Sequence, residues 1–234
     1  MDKKILGIIP ARGGSKRIPG KNIRNFCGKP ILAYSIEAAL GTGLFEEVMV
    51  STDSEEIAGT ARRYKAAVPF LRSEDASGDY ATTAEVLLEV LADYRKQGRT
   101  FDYMACIYPT APFVTAKKLT EAFRILEQTK AAAVLPVAAF SYPPQRGYIV
   151  KDGRLEMKWK ENYRMRSQDL EPLYHDCGQF YLYEVDRFLE QKGQITEGIV
   201  PIFVDELEMQ DIDRESDWKL AELKYEIMCQ RVIR

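Results

Sequence analysis

Residues 4–22 read KILGIIPARGGSKRIPGKN: an apolar run, a proline, a glycine pair, and then a cluster of cations. The run from Ile5 to Ile9 shows no polar alternation, the pattern of a strand covered on both faces in a parallel sheet. A strand that gives way at once to glycines sets its loop at the carboxyl edge of such a sheet, where open α/β proteins bind ligands. Gly13 and Gly14 let the backbone approach a ligand and aim successive N–H groups at it, and Arg12, Lys16 and Lys21 add charge to those dipoles. From Arg12 to Lys29 the chain sets out six cations, Arg12, Lys16, Arg17, Lys21, Arg24 and Lys29, without one carboxylate. Phosphate is the group such a loop fits. The spacing is not that of a Walker A loop, because five residues separate Gly14 from Gly20 and Lys21 is followed by Asn22, nor is it G-x-G-x-x-G. Read without a ligand, the same residues describe a solvated basic loop.

Outward from this loop, short apolar runs alternate with helical patterns. KILGII is followed by ILAYSIEAAL at 31–40, EVMVST by SEEIAGTARRY, AVPFL by TAEVLLEVLADYRKQ at 83–97, and YMACIY by a helix at 116–128, before AAVLPVA. This repetition predicts an α/β fold, a Rossmann-like and mostly parallel sheet flanked by helices. Asp53 with Glu56 and Thr82 with Glu85 have capping-box spacing, and Gly98 stops the third helix. From about 140 to 176 the chain turns Pro-rich and aromatic, with Asp152-Gly153 as a hairpin turn, which predicts an inserted arm. GQFYLYEV and IVPIFV then resume strand character. A closing helix over 214–230 is expected to bury Trp218, Ala221, Leu223, Tyr225 and Met228. The expectation is one domain over 1–234 that carries the arm.

The composition, 46% hydrophobic and 29% charged over 234 residues, suits a soluble globular domain. A net charge of −2 argues against a broad nucleic-acid surface, so the cation cluster is a local device. Cys27, Cys106, Cys177 and Cys229 form no C-x-x-C pair and His175 is the only histidine, which leaves a zinc site short of ligands and predicts reduced thiols. The N-terminal apolar run ends too early for a signal-peptide core, and no stretch approaches the ~18 to 20 apolar residues of a membrane span. The expected location is the cytoplasm.

The loop IIPARGGSKRIPGKN resembles the opening loop of the CMP-sugar synthetases, cytidylyltransferases that activate acidic keto-sugars. The resemblance continues through GKPILAYSIEAAL, VMVSTDSEEIA, LRSEDASGDYATT, YPTAP and QDID, and so covers most of the chain. It implies that Arg12, Ser15, Lys21 and Asn22, with the backbone of Gly13 and Gly14, cradle the triphosphate of CTP. It sets Ala11 beside the base, Arg72 near the cytosine, and Asp79 in the same nucleotide-side segment. An arginine suits cytosine, whose O2 and N3 are acceptors. Asp211 and Asp213 match the family's metal-binding pair, which implies Mg²⁺ as cofactor. In an extended segment residues i and i+2 share a face, so DID sets two carboxylates side by side and turns Ile212 inward. Asp53 is read as a helix N-cap.

One departure concerns the sugar. Where the neuraminate enzymes carry glutamine before the proline of this segment, this chain has Tyr108, which changes donor geometry and volume at the sugar face. The insert, with FSYPPQR, RSQDLEP and YHDCGQFY, is similar to the bacterial branch that uses pseudaminic acid, a nine-carbon diamino keto-acid; neuraminate, legionaminate and 3-deoxy-octulosonate remain alternatives. Sugar-side candidates are Tyr108, Thr110, Arg146, Arg166, Gln168, His175, Phe180 and Tyr181, the arginines for the carboxylate and the aromatics as an apolar wall. The resemblance also implies a homodimer whose arm reaches the partner's site. The expected reaction is attack of the sugar's anomeric hydroxyl on the α-phosphorus of CTP, with Lys21, Arg12, Asp211 and Asp213 as the catalytic groups and pyrophosphate leaving. A non-catalytic nucleotide-sensing module is the alternative from another class. It would share the basic loop but have no use for paired carboxylates.

Overall fold

The unbroken apolar run at the N-terminus forms β1 (Ile5–Pro10), buried along almost its whole length. The computed structural model describes residues 3–78 and 80–232, with the side chains of 231 and 232 left aside. After the basic loop come the short paired strands β2 (Asn25–Phe26) and β3 (Lys29–Pro30), then α1 (Ile31–Leu40), β4 (Glu47–Ser51) and α2 (Glu55–Arg63). The chain continues through α3 (Glu74–Ser77), α4 (Thr83–Lys96), β5 (Tyr103–Ile107), α5 (Ala116–Thr129) and β6 (Ala133–Ala139). The arm holds the hairpin β7 (Tyr148–Lys151) and β8 (Arg154–Met157). Beyond it lie β9 (Tyr174–Asp176), β10 (Phe180–Glu184), α6 (Val185–Glu190), β11 (Ile199–Phe203) and α7 (Glu215–Val232).

The main sheet has seven strands in the order β11-β6-β10-β5-β1-β4, with β9 also paired to β6. β1 runs parallel to both β4 and β5, and β11 runs parallel to β6. The mostly parallel sheet read from the sequence is therefore present, interrupted by β10, which lies antiparallel between β5 and β6. The AVPFL run does not form a strand; only Ala67 bridges, to Met49. Thr82 and Glu85 make both halves of their capping box, and the hairpin turn has Asp152 at φ 50° and Gly153 at φ 73°, the left-handed pair that a two-residue β-turn requires.

Alternation along β1 sorts the core. Ile5 and Ile9 face a cluster with Leu32, Ile36, Val50, Ile107 and Phe123, while Leu6 and Ile8 face one with Met49, Leu87, Val90, Tyr94 and Met104. A third cluster positions the site. Ile18 from the basic loop and Ile212 from the DID segment are buried together with Phe26, Ile31, Tyr34, Phe113, Trp218 and Ala221. Burying each isoleucine contributes roughly 1.5–3 kcal/mol, so the two distant segments are held against one another by apolar packing rather than by charge alone. Trp218, Ala221, Tyr225 and Met228 recur at helical spacing on the packed side of α7. Leu223, expected there too, is 57% exposed because it falls off that three-and-four spacing.

Candidate active site

The basic loop leaves β1 after Ala11, whose N–H donates to Ser51 O at 2.9 Å and so prolongs the sheet by one residue. The Asn22 side-chain amide donates to Arg12 O at 2.8 Å, pinning the start of the loop to its end. Gly13 N–H donates to Asp53 Oδ1 at 2.7 Å, and Ser15 N–H donates to Gly13 O at 3.0 Å. Gly13 N–H, expected to face a phosphate, is thus engaged inside the protein. A Cβ on Gly13 would stand 3.2 Å from Ser54 Cβ, which accounts for glycine there, whereas Gly14 faces open space. Asp53 does not cap α2 as its spacing with Glu56 suggested. Ser54 is the N-cap, its side chain accepting from Ile57 N–H, and Asp53 is left to tether the loop.

Several of the cations meet the C-terminal segment. Arg17 Nη1 lies 2.9 Å from Asp213 Oδ2, and Lys21 Nζ donates to Ile212 O at 2.6 Å while standing 3.8 Å from Asp213 Oδ1. Arg24 pairs with Glu215 at 2.5 Å and stacks 4.4 Å above the Trp218 ring, and Lys29 pairs with Glu37. A cleft of about 440 Å³ opens beside these contacts. Its walls are Arg12, Ser15, Lys16, Arg17, Lys21 and Asn22 from the loop, Tyr108, Pro109 and Thr110 from the end of β5, and Asp211. Early cations and a late carboxylate, almost two hundred residues apart, therefore share one concavity. Burial and the neighbouring Asp213 push the Asp211 carboxyl above its ordinary range, with Lys21 opposing them. Burial pulls the Lys21 ammonium down, and Asp213 and Asp211 oppose that shift.

Two neighbouring carboxylates, Asp211 and Asp213, are a donor set for a hard cation. Mg²⁺ takes one or two carboxylates and fills its remaining positions with phosphate oxygens and water. Among the described residues no group of three or more His, Cys, Asp or Glu side chains is gathered. The set accordingly fits Mg²⁺ brought together with a nucleotide, and does not fit an all-protein cage.

The other sequence candidates divide. Arg72 is buried, and its guanidinium donates to Ser51 Oγ at 3.0 Å and to Ser51 O at 2.6 Å, with Asp53 as its first electrostatic partner. It holds β4 to the segment ahead of α3 and lines no part of the cleft. Asp79 lies outside the described residues. Tyr108 and Thr110 line the cleft. Phe180 does not: it is fully buried in the core cluster with Ile107 and Leu182. Neighbours on a strand point to opposite faces, so Phe180 and Tyr181 cannot form one wall, and it is Tyr181 whose ring meets Tyr108, at 5.5 Å. Arg146, Arg166 and Gln168 stay in the arm and His175 lies just beyond it on β9, and none of the four lines this cleft. Arg146 points to Ser167 Oγ at 3.4 Å, Arg166 forks onto Asp169 at 2.8 and 3.1 Å, and His175 Nδ1 donates to Asp176 O at 2.9 Å. Gln168 borders a separate groove of about 210 Å³ within the arm.

Four residues that shape the site have no site role in the sequence reading. Arg17 stood among the six cations but was assigned nothing. Asp53 was assigned to a helix. Asp176 was not singled out, although D-C-G is an Asx-turn pattern, and its Oδ1 indeed accepts from Gly178 N–H at 2.7 Å. Gln179, buried, joins the two walls: its backbone O accepts from Tyr108 N–H at 2.8 Å and its side chain donates to Glu208 O at 2.7 Å, three residues before Asp211. No local pattern announces that bridge.

Comparison with known proteins follows the same outline. A family model described as cytidylyltransferase matches residues 6–180. The chain is 38% identical, over 96% of its length and 97% of the relative's, to the pseudaminic acid cytidylyltransferase of Campylobacter jejuni. It is 34% identical, over 98% of its own length and 100% of the other's, to the CMP-N,N'-diacetyllegionaminic acid synthase of Legionella pneumophila. Among solved structures, CMP:2-keto-3-deoxy-manno-octonic acid synthetase in complex with CTP superposes with a TM-score of 0.68 at 18% identity, covering 97% of this chain and 99% of that one. At that identity it speaks for the fold.

Proposed function

The chain belongs to the cytidylyltransferase family and is a nucleotidyltransferase, and from that premise we propose that it joins CMP from CTP to the anomeric hydroxyl of pseudaminic acid, releasing pyrophosphate. Transfer of CMP to a nonulosonic acid is what its full-length relatives are named for; the choice of pseudaminic acid rests on the relatives at 37 and 38% identity. The observation that carries the reading is the single cleft in which Arg12, Ser15 and Lys21 face Asp211, with Tyr108 and Thr110 alongside. Family membership sets aside the non-catalytic sensing module.

CTP lies with its phosphates against Arg12, Ser15, Lys16 and Lys21, and the base on the side of Ala11 and Arg72. The sugar sits at the Tyr108–Thr110 end, so that its anomeric hydroxyl approaches the α-phosphorus in line with the departing pyrophosphate. Lys21 and Arg12 meet the negative charge that builds on the bridging and leaving oxygens, and orientation of the two substrates supplies much of the rest. Asp211 and Asp213 would hold Mg²⁺, which supplies charge neutralisation at the phosphate oxygens. Arg17 and Lys21 contact Asp213, so on triphosphate binding these cations would turn to phosphate, leaving Asp211 and Asp213 as the carboxylates that would hold the metal. The reaction belongs in the cytoplasm, where CTP is, and its product suits a bacterial surface or flagellar glycan.

The arm supports a homodimer. In β7 and β8 every residue except Met157 is exposed, with Val150 at 72% and Leu155 at 70%. An isolated two-stranded hairpin is marginal in water, and apolar side chains displayed on one call for a cover. A second copy is the cover proposed, with Arg146, Arg166, Gln168 and His175 delivered to the partner's sugar end. The test is pyrophosphate release from CTP across a panel of pseudaminic, legionaminic, neuraminic and 3-deoxy-octulosonic acids. Pseudaminic acid should give the highest kcat/KM. A higher value with another acid would replace the substrate, and no release with any would end the proposal.

A further inference from the structure

Asp211 and Asp213 sit in a stretch that belongs to no strand, and side chains from other elements hold its backbone. The stretch runs from a single 3-10 turn, Glu206–Glu208, to the start of α7. Lys224 of α7 donates to Glu206 O at 3.0 Å and to Met209 O at 2.9 Å, and Lys21 donates to Ile212 O at 2.6 Å. Glu208, between them, is gripped at both ends. Its backbone O accepts from the Gln179 amide at 2.7 Å, and its carboxylate pairs with Lys118 Nζ at 2.8 Å. Both partners are also fastened to the wall at the sugar end of the cleft. Gln179 O accepts from Tyr108 N–H at 2.8 Å, and Lys118 Nζ donates to Phe113 O at 3.1 Å, just past the Pro109 and Thr110 that line the cleft.

Neither partner stands where packing or helix chemistry alone would put it. Gln179 is 1% exposed, and among the described residues its Oε1 has no hydrogen-bond partner, a cost that an apolar side chain of the same length would avoid. Lys118 lies in the first turn of α5, three residues after the N-cap Thr115, where the helix dipole disfavours a cation. What the two side chains achieve is to tie Glu208, three residues ahead of Asp211, to the stretch from Tyr108 to Phe113. We propose that Gln179 and Lys118 are positioning residues that act through Glu208 to fix how far Asp211 stands from the sugar wall, so that nucleotide and acidic sugar meet in one register. This rests on the reading that CTP, Mg²⁺ and the sugar share the cleft, and it deepens that reading. In-line attack demands such a register, because a misplacement of about 1 Å can lower a rate about 10²-fold. Gln179, Lys118 and Glu208 line no part of the cleft themselves.

Gln179→Met keeps the length of the side chain but removes the donor to Glu208 O together with the orphan oxygen, and Lys118→Met removes the ion pair. Each should lower kcat by about tenfold or more, while the KM for the sugar stays within about threefold of wild type. Calorimetry of CTP binding, in chelator and in Mg²⁺, gives a reading independent of turnover. Affinity in chelator should stay within about twofold of wild type, because the basic loop is untouched, whereas the further affinity that Mg²⁺ confers should fall by about fivefold or more. Lys118→Arg preserves the ion pair and should recover most of both losses. Thermal unfolding is measured on every variant, and the two Lys118 variants decide if Gln179→Met fails to fold. Wild-type kcat in both Met variants, an undiminished Mg²⁺ increment, a loss in chelator as large as that in Mg²⁺, or no recovery in Lys118→Arg overturns the inference and leaves the cytidylyl-transfer reading intact. Absence of pyrophosphate release with every acid in the wild type overturns both.

Discussion

Asp211→Asn should produce a protein that is at least as stable as the wild type and nearly inactive. In the metal-free protein Asp211 stands beside Asp213 with its carboxyl pushed up by burial and by that neighbour. The carboxyl is also open to solvent on its cleft side, so the repulsion relieved by a neutral amide is screened and amounts to less than about 1 kcal/mol. For a chain of this length 1 kcal/mol moves Tm by about 2–4 °C, so the expected change is a rise of at most a few degrees. The sign with pH follows. A carboxyl whose folded pKa is raised contributes stability that is complete below its unfolded pKa and is lost as pH rises through the folded value. The stability gap between variant and wild type should therefore be absent in acid and open as pH climbs through that window. Turnover behaves oppositely. Loss of one of two anionic donors to the metal should remove about 2.7–4 kcal/mol of transition-state stabilisation, roughly 10²- to 10³-fold in kcat. Calorimetric unfolding in chelator and a pyrophosphate assay at saturating Mg²⁺ measure the two halves. Wild-type turnover in the variant would remove Asp211 from catalysis, and a Tm lowered by several degrees would make it a structural residue.

Three further outcomes are expected. Trp218→Ala empties a site that is 1% exposed between Phe26, Ile18 and Ile212, should cost about 3–5 kcal/mol, and should weaken CTP binding as well, since both halves of the cleft lean on this cluster; a large loss of Tm with unaltered CTP affinity would separate the cluster from the site. Asp53→Ala removes the acceptor of Gly13 N–H and should weaken CTP several-fold by calorimetry, with the KM for the sugar unchanged, whereas Asp53→Asn keeps an oxygen there and should stay near wild type; equal loss in both would assign the effect to charge instead of the tether. Val150→Asp with Leu155→Asp should shift sedimentation from dimer to monomer without lowering Tm, and an unchanged sedimentation coefficient would take the hairpin out of the interface.

What could be read before the structure was mostly what local chemistry determines. The α1 span of 31–40, the Thr82–Glu85 box and the Asp152-Gly153 turn follow from side-chain periodicity, cap geometry and left-handed backbone, each settled within a few residues. Errors arose where two local solutions fit the same letters. Asp53 and Ser54 can each cap a helix; Ser54 takes the cap while Asp53 accepts from Gly13 N–H in the basic loop. Phe180 and Tyr181 are equally aromatic, and only the antiparallel placement of β10 between β5 and β6 decides which one reaches Tyr108. That placement comes from chain crossings, which no run of ten residues encodes.

The six cations without a carboxylate pose a physical problem that the fold resolves in two ways at once. Left unpaired, Arg17, Lys21 and Arg24 would repel one another in a loop that must pack Ile18 into the core. The chain answers with Asp213, the Ile212 carbonyl and Glu215, supplied from a segment that Ile212 itself anchors in the same cluster. Apolar burial brings the two segments together, and the ion pairs then fix their register. Because these pairs are partly open to solvent, with the Arg17 side chain 66% exposed, each is weak, and a polyanion arriving with a divalent cation can exchange into them without unpacking anything beneath. A site built this way is assembled before its substrate arrives. The strength of its own ion pairs then limits how tightly it can hold CTP, so Arg17→Ala should leave Asp213 more available to Mg²⁺ while taking one cation from the phosphates.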